Sequence, residues 1–205
     1  SYGSGNNVQF RMSGKVAATG STQSMLNYRT TCRSSCFAGM FSGCTSLTTA
    51  PELPATALAQ DCYGYMFSGC TSLTTAPELP ATTLAEQCYR SMFSGCTSLT
   101  TAPELPATTL AESCYYSMFS GCTSLITAPE LPATTLVDGC YSRMFFNCQS
   151  LLNVTVAFTT WEGDSSTEGW LNSVSSSGTF TKPSQLPTQY GTSYIPEGWT
   201  VVNKD

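Results

Sequence analysis

Cys88–Ser113 reads CYRSMFSGCTSLTTAPELPATTLAES, and Cys114–Gly139 reads CYYSMFSGCTSLITAPELPATTLVDG. Nothing else constrains the fold of this chain as much as that return. A Met-Phe pair marks it at Met40-Phe41, Met66-Phe67, Met92-Phe93, Met118-Phe119 and Met144-Phe145, always 26 residues on. The full unit runs from about Thr31 to Val156. One such unit cannot bury its own apolar side chains, so units of fixed period stack on one another. Equal spacing then places identical residues in columns.

A period in the twenties with leucines at fixed places predicts an α/β solenoid of the leucine-rich-repeat kind. The expected form is a right-handed coil with short parallel strands on one face, short helices on the other and a cap at each end. Thr83-Leu84-Ala85-Glu86 fits a capping box, with a hydroxyl at the N-cap and a carboxylate three residues later. Thr109–Glu112 and Thr135–Asp138 repeat it. A short helix should follow, with Leu84, Cys88 and Met92 on one face and Gly95 as its left-handed stop. Cys96–Ala102 predicts the strand, and Pro103, which has no N–H, bounds it. Three columns are expected: Leu73, Leu99 and Leu125; Leu79, Leu105 and Leu131; Phe67, Phe93 and Phe119. On that basis Leu99→Ala should cost about 2–5 kcal/mol on urea unfolding.

The organisation follows from the repeat: an N-terminal strand-rich cap over 1–30, the solenoid over 31–156 and a tryptophan-containing cap over 157–205. Val8, Phe10 and Met12 alternate with polar residues as a strand does. Beyond Val156 the cysteines stop and Trp161, Trp170 and Trp199 enter. Ser165 and Glu168 predict a short helix carrying Trp170 and Leu171, and Gly178–Lys182 and Trp199–Val202 read as short strands. The tryptophans suit a hydrophobic lid, which an open solenoid requires; the alternative is a carbohydrate-stacking platform.

Eleven cysteines would suit disulfides or a metal. Cys36/Cys44, Cys62/Cys70, Cys88/Cys96, Cys114/Cys122 and Cys140/Cys148 are pairs with seven residues between them, and Cys32 is left over. No CxxC and no histidine supplies zinc spacing. Each cysteine recurs within a periodic apolar pattern, which favours free thiols packed as small hydrophobes. Intra-unit disulfides stay open as the alternative.

The net charge of −5, with 10% charged residues, argues against nucleic acid, whose phosphates call for Lys and Arg. No apolar run is long enough for a membrane span. The absence of histidine removes the commonest general base. No phosphate loop, G-x-S-x-G or HExxH motif is present, and no cofactor signature, so the expectation is a non-enzyme without cofactor or metal. Glu52, Glu78, Glu104 and Glu130 form a row of carboxylates by repetition. Glycoside hydrolysis uses two carboxylates roughly 5–10 Å apart. Equivalent copies, however, lack the differentiated environments that make one an acid and one a base. A calcium site would want about six to eight oxygens.

Binding candidates come from where the units differ. The strand segment is nearly constant, whereas the two positions after Cys-Tyr vary: Gly64-Tyr65, Arg90-Ser91, Tyr116-Ser117 and Ser142-Arg143. This predicts an outer helix-side stripe of Tyr65, Arg90, Tyr116 and Arg143, residue types favoured in protein-binding surfaces. Neutral drift at exposed positions is the competing explanation. The rival surface is the strand face, with Thr74, Thr75, Thr100, Thr101, Glu78 and Glu104, whose regular rows suit a repetitive glycan.

Phe93, Cys96, Leu99, Leu105 and Pro106, with their equivalents at steps of 26, resemble the motif of the BspA-like leucine-rich repeats of bacterial surface proteins. FRMSGKVAATG (Phe10–Gly20), WLNSVSSSGTFTK (Trp170–Lys182) and IPEGWTVV (Ile195–Val202) are similar to the flanks of such repeats. The resemblance implies an extracellular adhesion or binding module on the bacterial surface. Its partner would be a glycan or protein on a host or neighbouring cell. A phage tail-associated receptor-binding repeat protein is the alternative, and a glycan-active enzyme a more distant one.

Overall fold

The computed structural model describes residues 14–26, 30–161 and 165–204. Side chains 26 residues apart stand over one another. Phe41, Phe67, Phe93, Phe119 and Phe145 form a column of near-parallel rings with centroids 5.6–5.7 Å apart. Phe37, Tyr63, Tyr89, Tyr115 and Tyr141 form a second, at 5.5–5.9 Å. Leu73, Leu99 and Leu125 are fully buried, and Leu79, Leu105 and Leu131 nearly so. The three expected columns are therefore buried core, and burial of each leucine contributes roughly 1.5–3 kcal/mol.

The helix expected after Thr83 is absent, and this is a correction. Among the described residues the only helix is a 3-10 turn at Thr22–Ser24. The segment is instead a chain of tight turns with a left-handed residue every fourth position: Gln87 (φ 55°), Ser91 (51°) and Gly95 (74°). Hydrogen bonding alternates along it. The amides of Asp61, Tyr63, Tyr65, Phe67 and Gly69 donate to the carbonyls of Glu86, Cys88, Arg90, Met92 and Ser94, at 2.7–3.0 Å. The amides between them, from Cys62 to Cys70, donate to the carbonyl three residues back at 3.0–3.2 Å. Half of the amides thus tie one unit to the next, whereas an α-helix would use all of them internally. Dimensions require this. Packed helices need about 8–10 Å between axes, and the rings here repeat at 5.5–5.9 Å. Gly95 is left-handed as expected, but it closes a turn.

The opposite side pairs in parallel, as expected, though barely. β1 (Val16–Ala17) pairs with β2 (Leu47–Thr49). Further along, the strand contracts to single bridges, Thr75↔Thr101 and Thr127↔Asn153. Pro103 and its equivalents lie two residues beyond each bridge and end the ladder. A second line of bridges joins Ala57, Thr83 and Thr109, so Thr83 sits on a ladder and not on a helix N-cap.

The inter-unit bonding continues past Val156. Tyr141, Arg143, Phe145 and Asn147 donate to the carbonyls of Ser166, Glu168, Trp170 and Asn172 at 2.8–2.9 Å. Trp170-Leu171 therefore occupies the Met-Phe place, within turns where a helix was expected. β3 (Asn153–Thr155), β4 (Thr179–Pro183) and β5 (Thr200–Lys204) form a parallel sheet, with β4 and β5 where strands were expected. Trp170 and Trp199 are 0% and 3% exposed. Their indole N–H groups donate to the Tyr194 and Ser175 carbonyls at 2.8 and 2.9 Å. Neither presents a face for a sugar. The strand read from Val8, Phe10 and Met12 lies outside the described residues.

No disulfide joins any of the eleven cysteines, all of which lie among the described residues. Ten form two columns, Cys36, Cys62, Cys88, Cys114 and Cys140, and Cys44, Cys70, Cys96, Cys122 and Cys148, while Cys32 takes the place that Leu84 holds in its unit. The thiols of Cys70, Cys96, Cys122 and Cys148 donate to the carbonyls of Phe41, Phe67, Phe93 and Phe119 at 3.0–3.2 Å. They pack and also satisfy buried acceptors.

Candidate functional surfaces

The turn chain gathers three of the four residues expected on the variable stripe. The Arg90 guanidinium lies 5.5 Å from the Tyr65 ring centroid and 5.4 Å from that of Tyr116. Its Nη1 donates to Gln87 Oε1 at 3.3 Å. Its Nε is buried and has no hydrogen-bond partner among the described residues. The left-handed backbone at Tyr65 (φ 56°) and the small buried Ser91 and Ser117 beside it leave room for the arginine between the two rings. Each ring adds about 0.5–1 kcal/mol of cation–π attraction at a surface of this kind. Tyr65 is 38% exposed, and Tyr116 and Arg90 are half-buried. Arg143 is exposed and stands apart from this group, its stem packed near Gly169. The variable positions thus build one aromatic–arginine cluster and a separate cation.

On the strand side Thr74, Thr75, Thr100, Thr101, Glu78 and Glu104 are all exposed. The threonines are knit to the backbone: the Thr100 amide and hydroxyl both donate to the Thr74 carbonyl, at 3.2 and 3.4 Å. Next in the row Ile126 replaces threonine and is 50% exposed, followed by Leu152 at 41%. The hydroxyl row therefore turns apolar towards the C-terminal end.

The glutamates belong to a different feature. Between successive Pro-Glu-Leu-Pro segments lie three equivalent hollows, of about 580, 410 and 390 Å³. Glu52 and Glu78 line the first, Glu78 and Glu104 the second, Glu104 and Glu130 the third. Glu78 and Glu104 each line two neighbouring hollows, so the three form a row. Their apolar walls are Pro77, Pro80, Pro103 and Pro106, with equivalents at each end. Sequence reasoning read Pro103 as the bound of a strand and missed that these prolines frame recesses; the signal was the repeated Pro-Glu-Leu-Pro itself. The only ion pair among the described residues is Lys204 Nζ to Glu130 Oε1, 2.9 Å. Glu52, Glu78 and Glu104 have no cationic partner among the described residues.

Among the described residues no group of three or more His, Cys, Asp or Glu is arranged to hold a metal ion. Among the same residues no helix is long and apolar enough to cross a membrane. Comparison with protein-family models, curated proteins and solved structures finds no match.

Proposed function

We propose that this chain is a non-catalytic binding or adhesion module, a right-handed leucine-rich-repeat solenoid of the BspA-like kind, acting outside the cell on a bacterial surface. Its partner would be a glycan or protein of a host or neighbouring cell. The observation that carries a binding role is the seating of Arg90 between Tyr65 and Tyr116. These are the positions at which near-identical units differ, and neutral drift gives no reason for three of them to form one cluster. Half-buried tyrosine and arginine supply contact area at small cost in conformational entropy. The parallel ladders beneath hold that cluster on a rigid support, which lowers the entropic cost of association.

A glycan and protein array probed with the intact chain tests this. Hits are expected to weaken in Arg90→Ala plus Tyr116→Ala and to persist in Thr74→Ala plus Thr100→Ala. A parent chain that engages nothing, or two double variants that both bind as the parent does, overturns the proposal.

A further inference from the structure

The row of hollows differs from the arginine cluster in chemistry, and the chain itself carries a group that fits it. Glu130, on the third hollow, receives the ammonium of Lys204 at 2.9 Å. Lys204 ends β5, an extended strand. Glu52, Glu78 and Glu104 offer the same carboxylate in the same Pro-Glu-Leu-Pro setting without a cation among the described residues. Successive units repeat at 5.5–5.9 Å where the rings measure the step, so the unpaired carboxylates repel one another along the row. Proline rings flank each one, and a lysine stem lies well over such an apolar wall while its head meets the charge. We propose that the Pro-Glu-Leu-Pro row is a docking groove for an extended, lysine-bearing peptide segment, and that the pairing of Lys204 with Glu130 at the end of the row shows the contact each glutamate would make. This rests on the chain being a binding module and adds a second surface to it.

The peptide is preferred to an amino-sugar polymer because the cation found on the row is a lysine delivered by extended backbone. Charge complementarity sets the class: an acidic groove in a chain of net charge −5 attracts a basic ligand and repels an acidic one.

The test is titration of the full chain with an octalysine peptide, with an octaglutamine peptide as neutral control and a glucosamine oligomer as the rival class. Octalysine is expected to bind and to weaken as salt rises. Glu78→Gln plus Glu104→Gln should weaken it about tenfold. Both side chains are exposed, and an unchanged circular dichroism spectrum separates lost binding from lost fold. Lys204→Ala should tighten binding about threefold by freeing the Glu130 carboxylate. No octalysine binding, equal binding by the double glutamine variant, or weaker binding by Lys204→Ala overturns the proposal. So does a glucosamine oligomer that binds where octalysine does not. If the arrays still give ligands sensitive to Arg90 and Tyr116, only this groove falls and the binding-module reading stands.

Discussion

Tyr89 is stacked between Tyr63 and Tyr115, 1% exposed, with a buried hydroxyl that has no hydrogen-bond partner among the described residues. Its ring contributes to the column, while its oxygen loses hydration without return. Tyr89→Phe is therefore expected to stabilise the chain by about 1 kcal/mol in urea unfolding; a loss would mean the hydroxyl has a partner. Gly95 poses the opposite case. A Cβ there would meet nothing nearer than Gly69 Cα at 3.7 Å, so there is space for it. The cost lies in φ at 74°. Gly95→Ala should lose about 1–2 kcal/mol, and Gly95→Asn less, since asparagine tolerates the left-handed region. A larger loss for asparagine would show that crowding and not backbone strain governs the site. At this scale much of the variable stripe was legible. Tyr65, Arg90 and Tyr116 stood out by differing between units. Their meeting did not, because Tyr65 and Tyr116 belong to adjacent positions of the unit, and only the left-handed turns swing both rings onto one guanidinium.

The turn chain is where sequence and structure part, and the reason is periodicity. Leu84, Cys88 and Met92 recur every four residues, which one helical face approximates. A helix turns once per 3.6 residues, so a strict four-residue step drifts round it; pairs of tight turns repeat on four without drift. Most residues at the left-handed positions carried the missing signal, Ser35, Gly39 and Gly43, Asp61 and Gly69, Gln87, Ser91 and Gly95, Ser113, Ser117 and Gly121, and Gly139 and Asn147, although Tyr65 and Arg143 hold the same conformation without it. Small or amide-bearing residues every fourth place suit positive φ. Column membership was readable because it depends only on the period, and so was the shortness of the strand, because proline cannot donate. The same element sets a response to pH. Burial pushes the thiols of Cys70, Cys114 and Cys148 from 9.0 up to about 12. The folded state holds these protons more tightly than the unfolded one. That stabilisation is complete below about pH 9 and is lost as pH rises from about 9 to about 12. Urea midpoints should be level up to pH 8.5 and fall steeply by pH 11. A level profile across that range would mean the thiols are exposed or already oxidised.

Across the whole molecule the aromatic columns, the thiol columns and the amide ladder share one step of 26 residues, and the ladder keeps it beyond the visible repeats into Trp170. What stabilises the chain is then a sum over units and over the interfaces between neighbours. Removal of Cys88–Ser113 joins Gln87 to Cys114, and every column closes over the gap, because Tyr115 replaces Tyr89 and Phe119 replaces Phe93. That variant should fold, with a urea m-value lower by about an eighth, since 26 of 205 residues are gone. Removal of Cys88–Glu112, one residue fewer, leaves the same mass of apolar surface but an extra residue at the junction. Along the turn chain alternate amides bond to the next unit, buried residues come in pairs such as Cys88-Tyr89 and Met92-Phe93, and left-handed positions recur every fourth place, so one surplus residue misplaces all three for the segment that follows. That second variant is expected to lose cooperative unfolding. If the two deletions unfold alike, in-register stacking is not what holds the molecule together, and the rigid surface on which Arg90 and the glutamate row are displayed loses its physical basis.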